Sequence, residues 1–226
     1  MAEKLKVFTF PCNENDIKAM ESWLEDLAAE GYLIDKSLPA GIIHFSEQDP
    51  VQVRYCLLFT PEYKKKQEIT ANEQKVIEEQ VSAGWEYVVK YGKYLVFMTK
   101  NTEIEKPVQD FYATVQDAKQ EQKKWYKKDL VLCVLLLVAF LLNSSRLMLL
   151  DMVIPFGVLV NFALLVVIAK ENKKLEEKIA FDTYATQKAD WKADVGKYKV
   201  MNAFGIGSLV ILLIGVVTLF CVRILL

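Results

Sequence analysis

The polar and apolar positions of the first hundred residues form one pattern written twice. In the first copy Lys4–Phe10 is apolar-rich and reads as a strand. Asn13-x-x-Asp16 then has the form of a helix start, with a side-chain cap and an acid in the first turn. Ile17, Met20, Leu24 and Leu27 follow at helical spacing, and Gly31 suits the helix exit. Tyr32–Leu38 and Gly41–Ser46 read as two strands turned by Pro39-Ala40-Gly41. The second copy opens at Val51–Thr60, where Val51, Val53, Tyr55, Leu57 and Phe59 alternate with other residues. A polar loop, Pro61–Glu68, leads to Thr70-Ala71-Asn72-Glu73, which has the capping-box form. Val76, Ile77 and Val81 give that helix an apolar face, and Gly84 ends it. Trp85–Tyr91 and Tyr94–Lys100 make a hairpin through Gly92-Lys93. Gly31-Tyr32 and Gly84-Trp85 correspond at an offset of 53 residues. The expected fold of 1–105 is α+β: a tandem β-α-β-β repeat forming one antiparallel sheet, with two helices on one face.

The pattern then changes. Pro107 marks a break, and Val108, Phe111, Tyr112 and Val115 recur at helical spacing, so 106–128 reads as a juxtamembrane helix. Leu130–Leu142 is unbroken apolar sequence. Leu147–Ala169 is apolar except for Asp151 and Asn161, and Ala203–Val222 has only Ser208 and Thr218 as polar members. A helix crossing a bilayer needs about 20 such residues. The expectation is therefore an all-α membrane domain of three transmembrane helices: two in 129–169, joined by Asn143-Ser144-Ser145-Arg146, and a third in 203–226. A re-entrant hairpin over 130–169 is the alternative. Pro155 and Gly157 would kink the second span. The intervening 170–202 reads as a cytoplasmic helical loop with Leu175, Ile179 and Tyr184. Tyr112-Ala113-Thr114 and Tyr184-Ala185-Thr186 echo one another, each with a Trp downstream (Trp125, Trp191), which suggests two juxtamembrane helices packed together beneath the head.

Charge changes this picture by giving it a direction. The whole chain carries −1, yet residues 1–115 hold 13 basic against 19 acidic side chains, while 116–226 hold 15 against 10. Lysines crowd the approach to the first span and the 170–202 loop, whereas Arg146 and Arg223 stand alone on the other side. The positive-inside rule then places the N-terminus in the cytoplasm and the C-terminus outside a multi-pass cell-membrane protein. An acidic head is also the wrong electrostatics for nucleic acid. The start of the chain has no 7–15-residue apolar core of a signal peptide after its charges.

Candidate chemistry is sparse. Cys12, Cys56, Cys133 and Cys221 show no metal-ligand spacing, and with a cytoplasmic head a structural disulfide is not expected. His44 is the single histidine, so a histidine-rich metal site is excluded, and no serine motif marks a nucleophile with His44 as its plausible partner. There is no phosphate-binding loop and no cofactor motif. Acidic neighbours such as Glu25-Asp26 and Glu78-Glu79 fall on polar helix faces and read as solvated charges. One constellation could bind a ligand: Trp23, Tyr55, Trp85 and Tyr87 lining a cleft between the repeats, with Arg54 as a fixed charge for a small anionic ligand. Ordinary core packing of the same aromatics is the competing reading. Lys64-Lys65-Lys66 reads as a solvated loop, with anionic lipid or a partner as the alternative. Asn161 reads as an intramembrane polar contact to a neighbouring helix.

Trp23-Leu24-x-x-x-Ala28-Ala29-x-Gly31-Tyr32, Val53-Arg54-Tyr55, Gly84-Trp85-Glu86-Tyr87-Val88 and Tyr91-Gly92-Lys93…Phe97 occur in order. Together they resemble the bacterial domain-of-unknown-function 2812 family over roughly residues 4–110. The resemblance implies membrane spans after the domain, and no activity, catalytic residue or cofactor. Cys56-Leu57-Leu58-Phe59 stands where the family suggests an acidic residue. The functional expectation is a membrane-anchored cytoplasmic module that binds a ligand or protein without catalysis. The alternative is a transporter component or accessory subunit of a larger membrane complex, with a membrane protein or a second copy of the chain as partner.

Overall fold

In the computed structural model, residues 4–7, 10–13, 15–38, 42–60, 68–107, 109, 111–117, 119–120, 123–124, 127–128, 130–131, 134, 150–180, 184, 189–204, 207 and 210 are described. The chain divides into two compact units. One joins Met1–Thr114 to Ile179–Val195, and the other joins Val115–Lys178 to Gly196–Leu226.

The first unit carries the doubled pattern. Its elements are β1 (Lys4–Val7), α1 (Ile17–Ala29), β2 (Tyr32–Leu38), β3 (Ile42–Glu47), β4 (Arg54–Phe59), α2 (Ala71–Ser82), β5 (Glu86–Tyr91) and β6 (Tyr94–Thr99). The strands make two three-stranded antiparallel sheets, ordered β1-β3-β2 and β4-β6-β5, and not the single sheet expected from the pattern. In each copy the last strand is central, which the periodicity alone does not reveal. The outer edge of β4 is closed to a further strand, because it takes hydrogen-bond partners from a helix instead. The Tyr55 amide donates to Glu25 Oε1 at 3.1 Å and the Leu57 amide to Glu21 Oε1 at 3.0 Å. Acids four residues apart on a helix rise about 6 Å, and alternate strand residues are about 6.8 Å apart, so the two ladders match. α1 packs against β2 and β4, while α2 packs against β5.

Local chemistry explains the element ends. The cap of α1 is Asp16, which accepts from the Ala19 amide. Asn13, expected to cap, instead makes the preceding turn, accepting from the Asn15 and Asp16 amides. Thr70 and Glu73 form both bonds of a capping box on α2. Gly31 and Gly84 follow the two helices at φ +92° and +95°, a region that penalises any side chain. A main core holds Ile17, Met20, Trp23, Leu24, Phe45, Tyr55, Leu57 and Tyr94, and a smaller one holds Cys56, Ile77, Trp85, Leu95 and Phe97.

The second unit contains a long helix, α3 (Leu150–Ile179), as far as Lys178, and helical residues 115–117 and 196–204. Gln116 Nε2 donates to Glu176 Oε1 at 2.6 Å, and Lys119 pairs with Glu176. Glu171 pairs with Lys174 and Lys197, and Val115, Asn172, Leu175 and Tyr198 are buried. Pairing of the two connecting segments thus occurs, but 179–195 groups with the first unit, so 170–202 is not one element.

The three-span membrane domain is corrected. Among the described residues, no helix is long and apolar enough to cross a membrane. α3 runs without a break from the second apolar stretch into the charged Lys170–Lys178 sequence. The first and third expected spans lie largely outside the described residues, as do the side chains of Asp151, Pro155 and Asn161. The multi-pass location, the placement of the two termini across a membrane, and the membrane-anchored and transporter readings that depended on them are withdrawn with the spans.

Candidate functional site

The residues expected to line one cleft are divided between the two cores. Trp23, on α1, meets Phe10 and Phe45 edge to face, with ring centroids 5.2 and 5.7 Å away. Tyr55 shares that core, completely buried. Burial pushes its phenol up to about 12, and its hydroxyl lies near the Ile34 backbone without a well-formed hydrogen bond. Trp85 sits in the smaller core, its buried indole N–H without a partner among the described residues. Tyr87 packs edge to face on Phe97 at 5.7 Å, and burial pushes its phenol up to about 12. Arg54 donates to the Thr102 and Ile104 carbonyls at 2.8 and 2.7 Å, with its guanidinium 6.0 Å from the Trp85 ring. It staples the chain after β6 and is not held out toward an anion. Of the predicted set, Trp23 and Tyr55 share the main core, Trp85 and Tyr87 share the smaller one, and Arg54 lies against Trp85. Lys64-Lys65-Lys66 lie outside the described residues.

The polar groups that do converge belong to α1, and most escaped the sequence reading. Glu21 is buried, and its Oε2 takes Lys106 Nζ at 2.8 Å while its other oxygen holds the Leu57 amide. Burial raises its carboxyl above the ordinary range, with the Lys106 charge opposing. Lys106 also reaches Glu25 Oε1 at 3.6 Å. Cys56 lies beside this group, its Sγ 3.6 Å from Gln109 Nε2. Burial, and then the Glu21 charge, push the thiol up to about 12, which removes the thiolate that nucleophilic or redox chemistry would use. Burial likewise pushes the Cys12 thiol far above its usual value.

The outward side of α1 carries a segment from far down the chain. Tyr184 O–H donates to Asp16 Oδ1 at 2.7 Å, in a fully buried bond. Burial, then the Asp16 charge, hold that phenol well above its ordinary value. Phe111 packs edge to face on Tyr184 at 5.3 Å, and Lys18 Nζ lies 5.5 Å over the Phe111 ring. A short 3-10 helix, Trp191–Asp194, ends the contact. There Trp191 Nε1 donates to Asp26 Oδ2 at 3.0 Å and Lys192 Nζ pairs with the same oxygen at 3.1 Å. Ala189 and Trp191 pack on the main core. Glu25 and Asp26 are therefore occupied acceptors and not the solvated charges the sequence suggests. The Tyr-Ala-Thr echo splits: Tyr184 is buried and Tyr112 is exposed.

A second buried polar group sits under α2. Lys90 Nζ lies 2.6 Å from Glu73 Oε2 and also donates to the Glu68 carbonyl, and Thr60 Oγ1 donates to Glu73 Oε1 at 2.8 Å. Burial acts to raise the Glu73 carboxyl, but its bonds from Lys90, Thr70 and Thr60 outweigh this and leave it below the usual carboxylate range. The capping box flagged Glu73, but nothing local paired it with Lys90. Among the described residues, no three His, Cys, Asp or Glu side chains group as metal ligands.

A family model described as "Protein of unknown function (DUF2812)" matches residues 16–135, starting at the Asp16 cap and running past the second repeat. It extends further downstream than the motifs that first suggested it. No curated protein and no solved structure matches the chain. With more than half of its length matched, this chain belongs to the DUF2812 family.

Proposed function

We propose that this protein acts by binding rather than by catalysis, with α1 as the docking face for a protein segment bearing aromatic N–H or O–H donors and a lysine. The observation that carries the reading is the pair of carboxylates Asp16 and Asp26, which hold Tyr184, Trp191 and Lys192 along one helix. The two acids are ten residues apart, about 15 Å along the axis, a span suited to a short peptide. Hydrogen bonds to charged acceptors are the stronger class, and Tyr and Trp are the usual anchors of protein interfaces. The raised thiols of Cys12 and Cys56 and the bonded state of Glu21 and Glu73 support a role without a nucleophile or general base.

The test uses a fluorescent peptide with the sequence of residues 183–194 and the full chain carrying Tyr184→Ala and Trp191→Ala. Saturable binding, weakened at least roughly tenfold by adding Asp26→Ala, is the expected outcome. Absence of binding at millimolar peptide would overturn the reading.

A further inference from the structure

The segment on α1 comes from this same chain, and that fact has a regulatory consequence. Tyr184 follows Asp16 by 168 positions and Trp191 follows Asp26 by 165, so nothing in local sequence obliges the contact. The contact lies within the first compact unit, yet its segment, Ile179–Val195, is bounded on both sides by sequence of the second. Each anchor can be withdrawn without removing part of a sheet. Tyr184 and Trp191 lie outside both sheets, and the cap of α1 persists through the Ala19 amide bond to Asp16 when Tyr184 leaves.

We infer that Tyr184, together with Trp191 and Lys192, forms an autoinhibitory latch, which occupies the docking face of α1 and is displaced by a partner segment of the same aromatic and basic chemistry. This rests on the reading of α1 as a docking face. A tethered occupant competes at the effective concentration set by its connection, about millimolar for short links. A partner meeting the latched chain therefore binds more weakly, by the fraction of molecules in which the face is open. The shared acceptor Asp26 makes competition selective, because an aromatic segment without a neighbouring cation satisfies the indole contact and leaves the Lys192 position vacant.

The same 183–194 peptide distinguishes the outcomes when titrated in parallel against three full-length proteins. These are the unmodified chain, Tyr184→Phe with Trp191→Phe, and Tyr184→Ala with Trp191→Ala. The phenylalanine variant removes both donors while keeping two rings in the core, so it guards against a folding defect in the alanine variant. Affinity for the peptide should rise in that order, with the unmodified chain at least roughly tenfold weaker than the alanine variant. A peptide lacking the Lys192 equivalent should lose most of this advantage. Equal affinity for all three proteins would overturn the latch and leave the docking face standing. No binding to any of them, with the near-ultraviolet circular dichroism of the folded chain intact, would overturn both.

Discussion

α1 and α2 occupy matching places in the two copies of one repeat, and they have become different objects. At the offset of 53, Glu21 and Glu25 correspond to Gln74 and Glu78. On α1 the two acids close the free edge of β4 through the Leu57 and Tyr55 amides. On α2 the equivalent pair only bond each other in solvent, Gln74 Nε2 to Glu78 Oε1 at 3.0 Å. Leu24 and its counterpart Ile77 are both buried, so the inward faces have kept their role. The outward faces diverge: α1 is overlaid by Tyr184 and Trp191, whereas α2 buries little beyond Glu73 and Ile77. A doubled fold leaves one copy to hold the structure while the other acquires contacts. The polarity of the helix facing a sheet edge decides which copy does which.

The comparison can be broken most severely in the second copy, at its buried ion pair. Lys90→Ala strands the Glu73 carboxylate and should cost about 3–5 kcal/mol in urea unfolding of the full chain. A loss below about 1 kcal/mol would mean that the second repeat does not depend on this pair.

The helix-to-edge contact gives the next effect. Glu21→Ala leaves the Leu57 amide without its acceptor and Lys106 with Glu25 alone, and should cost about 2–3 kcal/mol. Its counterpart Gln74→Ala, on an exposed face, should stay within about 0.5 kcal/mol. Similar losses at the two positions would erase the distinction between the helices.

The paired glycines sharpen the same contrast. Both sit at positive φ, but a Cβ at Gly31 would come within 2.6 Å of the Gln48 carbonyl, which is backbone. At Gly84 it would meet the tip of Ile104 at 2.7 Å, and a side-chain end can move. Gly31→Ala should therefore cost about 2 kcal/mol or more and Gly84→Ala about 1 kcal/mol, read from unfolding midpoints.

The smallest effect is in pH dependence, where the two helix acids have opposite signs. Glu73 is held below its ordinary value, so its contribution is present above about pH 4.5 and is lost as pH falls through the lowered value. Glu21 is held above its ordinary value, so its contribution is present below about pH 4.5 and is lost as pH rises through the raised value. Unfolding across the acid range should show Glu73→Gln flattening the acid-side loss of stability. Glu21→Gln should remove an opposing slope at higher pH.

Much of the repeat was legible because it is written in local signals. Gly31 and Gly84 mark the helix exits, Thr70 and Glu73 the capping box, and the Gly92-Lys93 turn the second hairpin. The strand order was not legible, because alternation says which face a residue takes and nothing about which edge is satisfied by a carboxylate. Glu25 read as surface charge and Glu21 drew no reading for the same reason: their partners are backbone amides thirty and thirty-six residues away. Tyr184 and Trp191 carried only a faint echo of Tyr112 and Trp125, and spacing cannot pair residues 165 positions apart. The aromatics Trp23, Tyr55, Trp85 and Tyr87 were recognisable as important, but packing divides them between two cores. The apolar stretches were read by length and composition. α3, which continues into Lys170–Lys178, shows that such a reading does not fix where an element ends.

Amide hydrogen exchange on the full chain tests most directly whether α1 is the working face held by its own downstream segment. With Tyr184→Phe and Trp191→Phe, the amides of α1 should exchange at least roughly tenfold faster while those of α2 keep their rates. Unchanged protection of α1, or equal acceleration in both helices, would contradict the account.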